Sequence, residues 1–215
     1  MSKARIISLL LSLVISLPVF SQSATHNYVR SVTYLKADRS DSIIQVQYYD
    51  DLGRPEQQVA GGVNPYGKYL HSQTEYDGVG REWKTWLPVV GSTNPAYVSN
   101  IAAINPSQYH GDSRAYSETS YDALDRTTFV STPGAAWTGK GRRANYRYNT
   151  NNEVKRYSAD NLASVGHYAQ KLLYCVETLD EDGVRVQTFT DQLGRTVLER
   201  RGSTGDTSDT YYVYN

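Results

Sequence analysis

Val184-Arg185-Val186-Gln187-Thr188-Phe189-Thr190-Asp191-Gln192-Leu193-Gly194-Arg195-Thr196-Val197-Leu198-Glu199-Arg200 is the stretch that decides the fold. Apolar and polar residues alternate up to Thr190, the period of a strand with one apolar face. Asp191 then opens a turn, because its carboxylate accepts backbone N–H groups two residues on. Gly194 closes it, supplying the positive φ that a type I turn with a G1 bulge needs. Arg195 begins the return strand Thr196 to Arg200, from which it can pair with the turn aspartate or lie across a tyrosine ring. Leu193, between aspartate and glycine, is expected to tuck the turn onto the sheet.

The hexapeptide recurs. Tyr49-Asp50-Asp51-Leu52-Gly53-Arg54, Tyr76-Asp77-Gly78-Val79-Gly80-Arg81 and Tyr121-Asp122-Ala123-Leu124-Asp125-Arg126 are near-copies of the block at Thr190. Asp125 stands where the others have Gly53, Gly80 and Gly194, and aspartate is one of the few residues that tolerates the left-handed region. A weaker block starts at Tyr148-Asn149, and Tyr214-Asn215 resembles the opening of another. Alternating stretches flank the blocks: Ile43 to Tyr49 before the first, Glu82 to Leu87 after the second. Four copies between strands are read as structural turns: Asp50, Gly53 and Arg54; Asp77, Gly80 and Arg81; Asp122, Asp125 and Arg126; Asp191, Gly194 and Arg195. The fold class is therefore mainly β, a twisted antiparallel sheet of successive hairpins, with one or two short helices in loops.

Composition agrees. Among 215 residues there are 19 Tyr and 3 Trp but only 3 Phe and 1 Met. Tyrosine must supply much of the buried area, which suits half-buried strands. The 22 basic residues balance the 22 acidic ones. Nucleic acid is thus excluded as a partner, since it calls for a basic surplus. One cysteine excludes a disulfide framework and a multi-cysteine zinc site.

Met1–Ser21 reads as a secretory signal peptide: Lys3 and Arg5, then the apolar run Ile6–Val19, then a small-residue cut after Ser21, or after Ala24. The run is shorter than the ~20 residues of a membrane-spanning helix, so no span is expected after its removal. The mature chain, carrying 20 basic against 22 acidic residues, is expected to be secreted or held in the cell envelope.

Chemistry-bearing patterns are sparse. His26, His71, His110 and His167 are scattered, without metal-ligand spacing. Asp180-Glu181-Asp182-Gly183 has the wrong continuation for a calcium loop and reads as a hairpin turn with Asp-Gly at its apex. Cys175, within Leu172-Leu173-Tyr174-Cys175-Val176, reads as a packed thiol. Asp50 and Asp51 form a carboxylate pair of the kind a glycosidase uses, but a repeated turn dilutes that reading. Lys140-Gly141-Arg142-Arg143 reads as a solvated loop tip. No catalytic residue, metal site or cofactor is expected. Trp83, Trp86 and Trp137 are the candidates for stacking on sugar rings, although alternation sends Trp83 and Trp86 to opposite faces.

Outside the repeats, Asn27 to Tyr34 reads as a first strand and Ala37 to Asp41 as a turn. A short helix is expected within Ala96–Ile104. Asn161 to Leu173 reads as a short helix or an irregular connector, and Ser203 to Asp209 as a polar loop before the last strand.

The Tyr-Asp and Gly-Arg positions resemble the YD repeats of the RHS (rearrangement hotspot) family. Asn27-Tyr28-Val29-Arg30, Tyr49 to Pro55, Tyr116-Ser117-Glu118-Thr119, Gly134-Ala135-Ala136-Trp137 and Asn149 to Val154 resemble the uncharacterised N-terminal domain that precedes such repeats in secreted Gram-negative proteins. The resemblance implies a signal peptide (1–21), an N-terminal RHS-associated β domain (22–154) and YD-repeat-like hairpins (155–215). In full-length members the ribbon closes into a hollow shell around a C-terminal toxin or effector. Against that pattern the chain reads as an N-terminal fragment or a truncated reading frame, and no catalytic residue of the family maps onto it. The expected role is a non-enzymatic wall segment. Its partners would be later RHS repeats of a full-length chain, or a second copy through an open sheet edge. The alternative is an extracellular carbohydrate-binding or adhesion module.

Overall fold

The computed structural model describes residues 25–62, 66–203 and 205–215. The signal-peptide reading of 1–21 lies outside the described residues. The chain divides into two compact units, one running to His71 and including Val90–Ser99, the other comprising Ser72–Val89 and Asn100–Asn215.

The first unit is an antiparallel meander of β1 (Asn27–Tyr34), β2 (Ser42–Tyr49) and β3 (Pro55–Gly61). Period two sends Val46 and Tyr48 to one face, where both are buried with Val59. The segment 90–99 covers that face. Tyr97 packs on it, Tyr48 donates its hydroxyl to the Pro95 carbonyl (2.7 Å), and Gln57 brackets Val98, donating to its carbonyl (2.9 Å) and accepting from its N–H (3.0 Å). The expected helix over Ala96–Ile104 is corrected here. Ala96 to Val98 is without regular secondary structure, its Val98 backbone groups being taken by this side-chain bracket.

The second unit begins within β4 (Leu70–Tyr76) and continues through β5 (Glu82–Trp86), the two-residue β6 (Val89–Val90), the helix α1 (Ile101–Gln108), β7 (Tyr116–Tyr121), β8 (Thr127–Ser131) and β9 (Arg142–Tyr148). A short pair follows, β10 (Lys155–Tyr157) with β11 (Ser164–His167), and then β12 (Tyr174–Leu179), β13 (Arg185–Thr190), β14 (Thr196–Ser203) and β15 (Asp206–Tyr211). The sheet order is β4-β5-β7-β8-β9-β12-β13-β14-β15, every neighbouring pair antiparallel. α1 starts at Asn100, whose side chain accepts from the Ala103 N–H, which is why the helix lies later than expected.

Two more expectations are corrected. Asn161 to Leu173 is neither helix nor structureless, because it carries β11, which pairs with β10. Ser203 to Asp209 is mostly hairpin, because Arg200 and Asp209 face each other across β14 and β15 and bond through two contacts of 2.7 and 2.8 Å. The core of this unit is the row Cys175, Phe189, Leu198 on three adjacent strands, closed over by Val154, Leu173 and Tyr168 from the 149–173 connection.

Candidate functional site

The feature that recurs through both units is the turn. In the Asp191 copy, one carboxylate oxygen accepts the N–H of Leu193 and of Arg195, each at 2.9 Å. The other oxygen takes Arg195 Nε and Nη2 at 2.8 Å each. The backbone closes with Gly194 N–H on the Asp191 carbonyl (3.0 Å) and Asp191 N–H on the Arg195 carbonyl (2.9 Å). Asp50, Asp77 and Asp122 hold the same set of bonds. The closing position is left-handed each time: Gly53 at φ 77°, Gly80 at 93°, Asp125 at 60° and Gly194 at 79°. Each pairing slips by one residue at the turn, the signature of a bulge.

These carboxylates resist protonation. The N–H of the following arginine is the first cause that holds Asp50, Asp77 and Asp191 below the usual range, with the guanidinium adding to it against some burial. Around Asp122, burial pushes upward, and the Arg126 bonds outweigh it. Groups fixed in the anionic form by four bonds are poor proton donors.

The arginines then reach forward to the next hairpin. Arg81 lies over the Tyr121 ring (4.8 Å), and Tyr121 donates its hydroxyl to the Glu82 carbonyl (2.9 Å). Arg126 lies over Tyr146 (4.2 Å), which donates to the Thr127 carbonyl (2.9 Å). Arg195 lies over Tyr214 (4.7 Å), which donates to the Thr196 carbonyl (2.8 Å). Each clasp thus joins an arginine, the carbonyl after it, and a tyrosine from the following hairpin. Nη1 of Arg81 also reaches the Asp122 carbonyl and the Asp125 carboxylate, and Nη1 of Arg126 reaches the Tyr174 hydroxyl. Pairing with the aspartate and lying on a tyrosine were both open to these arginines, and they do both. In the weak block the clasping residue is Tyr146, not Tyr148, two positions earlier on the same face.

The sequence reading misplaced the apolar residue of the turn. Leu52, Val79, Leu124 and Leu193 are 77, 75, 71 and 77% exposed and do not tuck onto the sheet. Their N–H is bonded inward to the aspartate, which turns the side chain outward.

One further turn, read from the sequence as a plain hairpin, went unrecognised as a copy. Asp180 accepts from Asp182 and Val184 N–H (3.0 and 2.8 Å), and Gly183 takes φ 84°. This is the same turn without its arginine, with Glu181-Asp182 at the tip. The Asp-x-x-Gly spacing was the signal. Asn149 does the aspartate's work across a long connection: it accepts Leu173 N–H (2.8 Å) and donates to the Ala169 carbonyl (2.8 Å).

The three tryptophans are not brought together as a platform. Trp86 is buried against Tyr116 and donates Nε1 to Glu75, so its ring is closed to a ligand and its stacking role is withdrawn. Trp83 is half-buried with the Lys84 ammonium 4.0 Å from its ring centre. Trp137, in a single 3-10 turn (Ala135–Trp137), is 43% exposed. Cys175 is buried, and that burial pushes its thiol up to about 11. Among the described residues no cluster of three or more His, Cys, Asp or Glu is placed to hold a metal ion, and no helix is long and apolar enough to cross a membrane.

A chain of antiparallel hairpins joined by forward clasps is a β-repeat protein in class. This chain belongs to the family described as "Domain of unknown function (DUF6443)", which matches residues 22–150. No curated protein matches it. Among solved structures it is similar to a chain in "Crystal Structure of TcdB2-TccC3", with TM-score 0.51 and 16% identity over 95% of this chain. The likeness spans 11% of that chain's length, and at such identity it concerns the fold alone.

Proposed function

We propose that the chain is a non-enzymatic wall segment of an exported RHS-type protein, in which hairpins follow one another as a ribbon that encloses or presents another part of the assembly. The observation that carries this reading is the clasp at Arg81, Arg126 and Arg195, which joins consecutive hairpins instead of converging on one pocket. The likeness to a stretch of TcdB2-TccC3 is compatible with it. Export follows from the leader read in Met1–Ser21, and the partners are further hairpin repeats or a second copy.

The test is co-expression with whatever reading frame follows Asn215, then limited proteolysis. A wall segment co-purifies with further repeats, and both become protease-resistant together. A chain that stays separate, with no repeat-bearing sequence downstream, defeats the proposal. Carbohydrate recognition is the competing reading, and the half-buried Trp83 and exposed Trp137 are what remain to support it. Glycan-array binding abolished by Trp83→Ala would favour it.

A further inference from the structure

Residues 91–98 lie as a strap against the first unit, and His71 sits beneath them, fully buried. Its partners fix where its proton is. Gln57 donates its amide N–H to the Val98 carbonyl, so its Oε1 faces the Val98 N–H and can only accept. His71 Nδ1 lies 3.1 Å from that same Oε1 and must therefore carry the ring proton. Nε2 is then the bare nitrogen. It has no hydrogen-bond partner among the described residues, and it abuts Gly91, where a methyl group would lie 2.5 Å from it. Two backbone bonds hold the strap at this point: Gly91 N–H to the Tyr69 carbonyl (2.8 Å) and Tyr69 N–H to the Ser92 carbonyl (3.0 Å).

The titratable groups around His71 are engaged elsewhere. Tyr48 on β2 donates to the Pro95 carbonyl, and Glu56 on β3 accepts the Tyr97 hydroxyl (2.6 Å). His26, ahead of β1, stacks on Tyr97 (3.8 Å). Tyr69, two residues before His71, packs on the cluster of Val46, Tyr48 and Val59. Lys68 is exposed, and Glu75, further along β4, accepts from Trp86. None of them gives Nε2 an acceptor. A second proton there would create a charge removed from water and unpaired, a state that costs several kcal/mol or about that order. Hydrating it requires water at the ring, and Gly91 stands in the way.

We propose that the strap is an acid-released latch: protonation of His71 at Nε2 drives Gly91 and Val98 off the sheet and uncovers Val46, Tyr48 and Val59. The latch is independent of the wall proposal. Burial holds the His71 pKa below its ordinary 6.5 while the strap is closed. Closure is therefore fully favoured above 6.5 and loses that contribution as pH falls from there toward the closed-form value.

The experiment is amide hydrogen exchange on the full chain at about pH 7.5 and about pH 5, corrected for the intrinsic rate. Protection of the Val98 N–H should fall about tenfold or more on acidification, while the Phe189 and Leu198 amides of the second unit keep theirs. His71→Asn retains a donor toward Gln57 without a titrating nitrogen and should abolish the pH dependence. Glu56→Gln and His26→Phe should leave it in place. If the asparagine variant does not fold, the ring resonances of His71 in the unaltered chain decide, because their titration and the loss of Val98 protection should share one midpoint below 6.5. Equal protection at both pH values, a loss that persists in His71→Asn, a loss that vanishes in Glu56→Gln or His26→Phe, or two separate midpoints would each overturn the assignment.

Discussion

The Asp191 turn and the Asn149 connection close the same kind of antiparallel pair, one with five residues and the other with the 25 from Asn149 to Leu173. In both, the side-chain oxygen of the first residue accepts the N–H of the last, and the backbone bond runs back from the first N–H to the last carbonyl. Closure therefore depends on two anchor residues and not on what lies between. The difference is in the surroundings. Asp191 is half-buried and leans on the more exposed Arg195, whereas Asn149 is buried and its long connection must build its own support. It does so with Val154 and Leu173 in the core, the β10–β11 pair, and Glu153 bonded to Arg147 through both oxygens.

The sharpest way to break this comparison is Asn149→Ala. It strands the buried N–H of Leu173, frees the Ala169 carbonyl, and should cost about 2–3 kcal/mol in urea unfolding. Asp191→Ala should cost less, since water replaces what is lost. Equal losses would mean that burial does not separate the two sites.

Next is Glu153→Gln, expected to cost about 2 kcal/mol at neutral pH. Burial pushes the Glu153 carboxyl up, but the Arg147 guanidinium and the Thr150 N–H outweigh it and hold it at about 2. A carboxyl held below its ordinary value stabilises the fold fully above 4.5, and that share is lost as pH falls through about 2. Acid titration of stability should be shallower in the variant; parallel curves would show that the pair contributes nothing.

Gly194→Val and Gly183→Val sharpen the comparison further. Both glycines sit at positive φ with open space around them, so each variant meets only backbone strain, about 1–2 kcal/mol and alike in the two turns. A much larger loss at Gly194 would mean that strain there also disturbs the clasp. Smallest is Leu193→Ser, within about 0.5 kcal/mol, because the side chain is exposed. A larger cost in the isolated chain would restore the tucked leucine.

Local chemistry was legible. β1 runs from Asn27 to Tyr34 as read, and the Asp-to-Gly turns follow from side-chain and φ preferences within six residues. What depended on distant partners was not. Ala96 to Val98 stays out of the helix, its Val98 bound by Gln57 from 41 residues away. β11 exists because β10 lies beside it. Leu193 faced outward for a reason hidden in the direction of its own N–H. Of the residues proposed for stacking, Trp86 had to be buried by geometry alone, since alternation could say that one of Trp83 and Trp86 is inside without saying which. The tyrosine of Tyr121-Asp122 was visible as a repeat, but its grip on the preceding Arg81 required the sheet order.

Every arginine clasp points the same way along the chain: Arg81 to Tyr121, Arg126 to Tyr146, Arg195 to Tyr214. Assembly therefore acquires a direction, because a hairpin's guanidinium finds its aromatic seat only after the next strand has arrived. A polypeptide emerging amino end first would tighten like a ratchet, each new tooth locking the one before it.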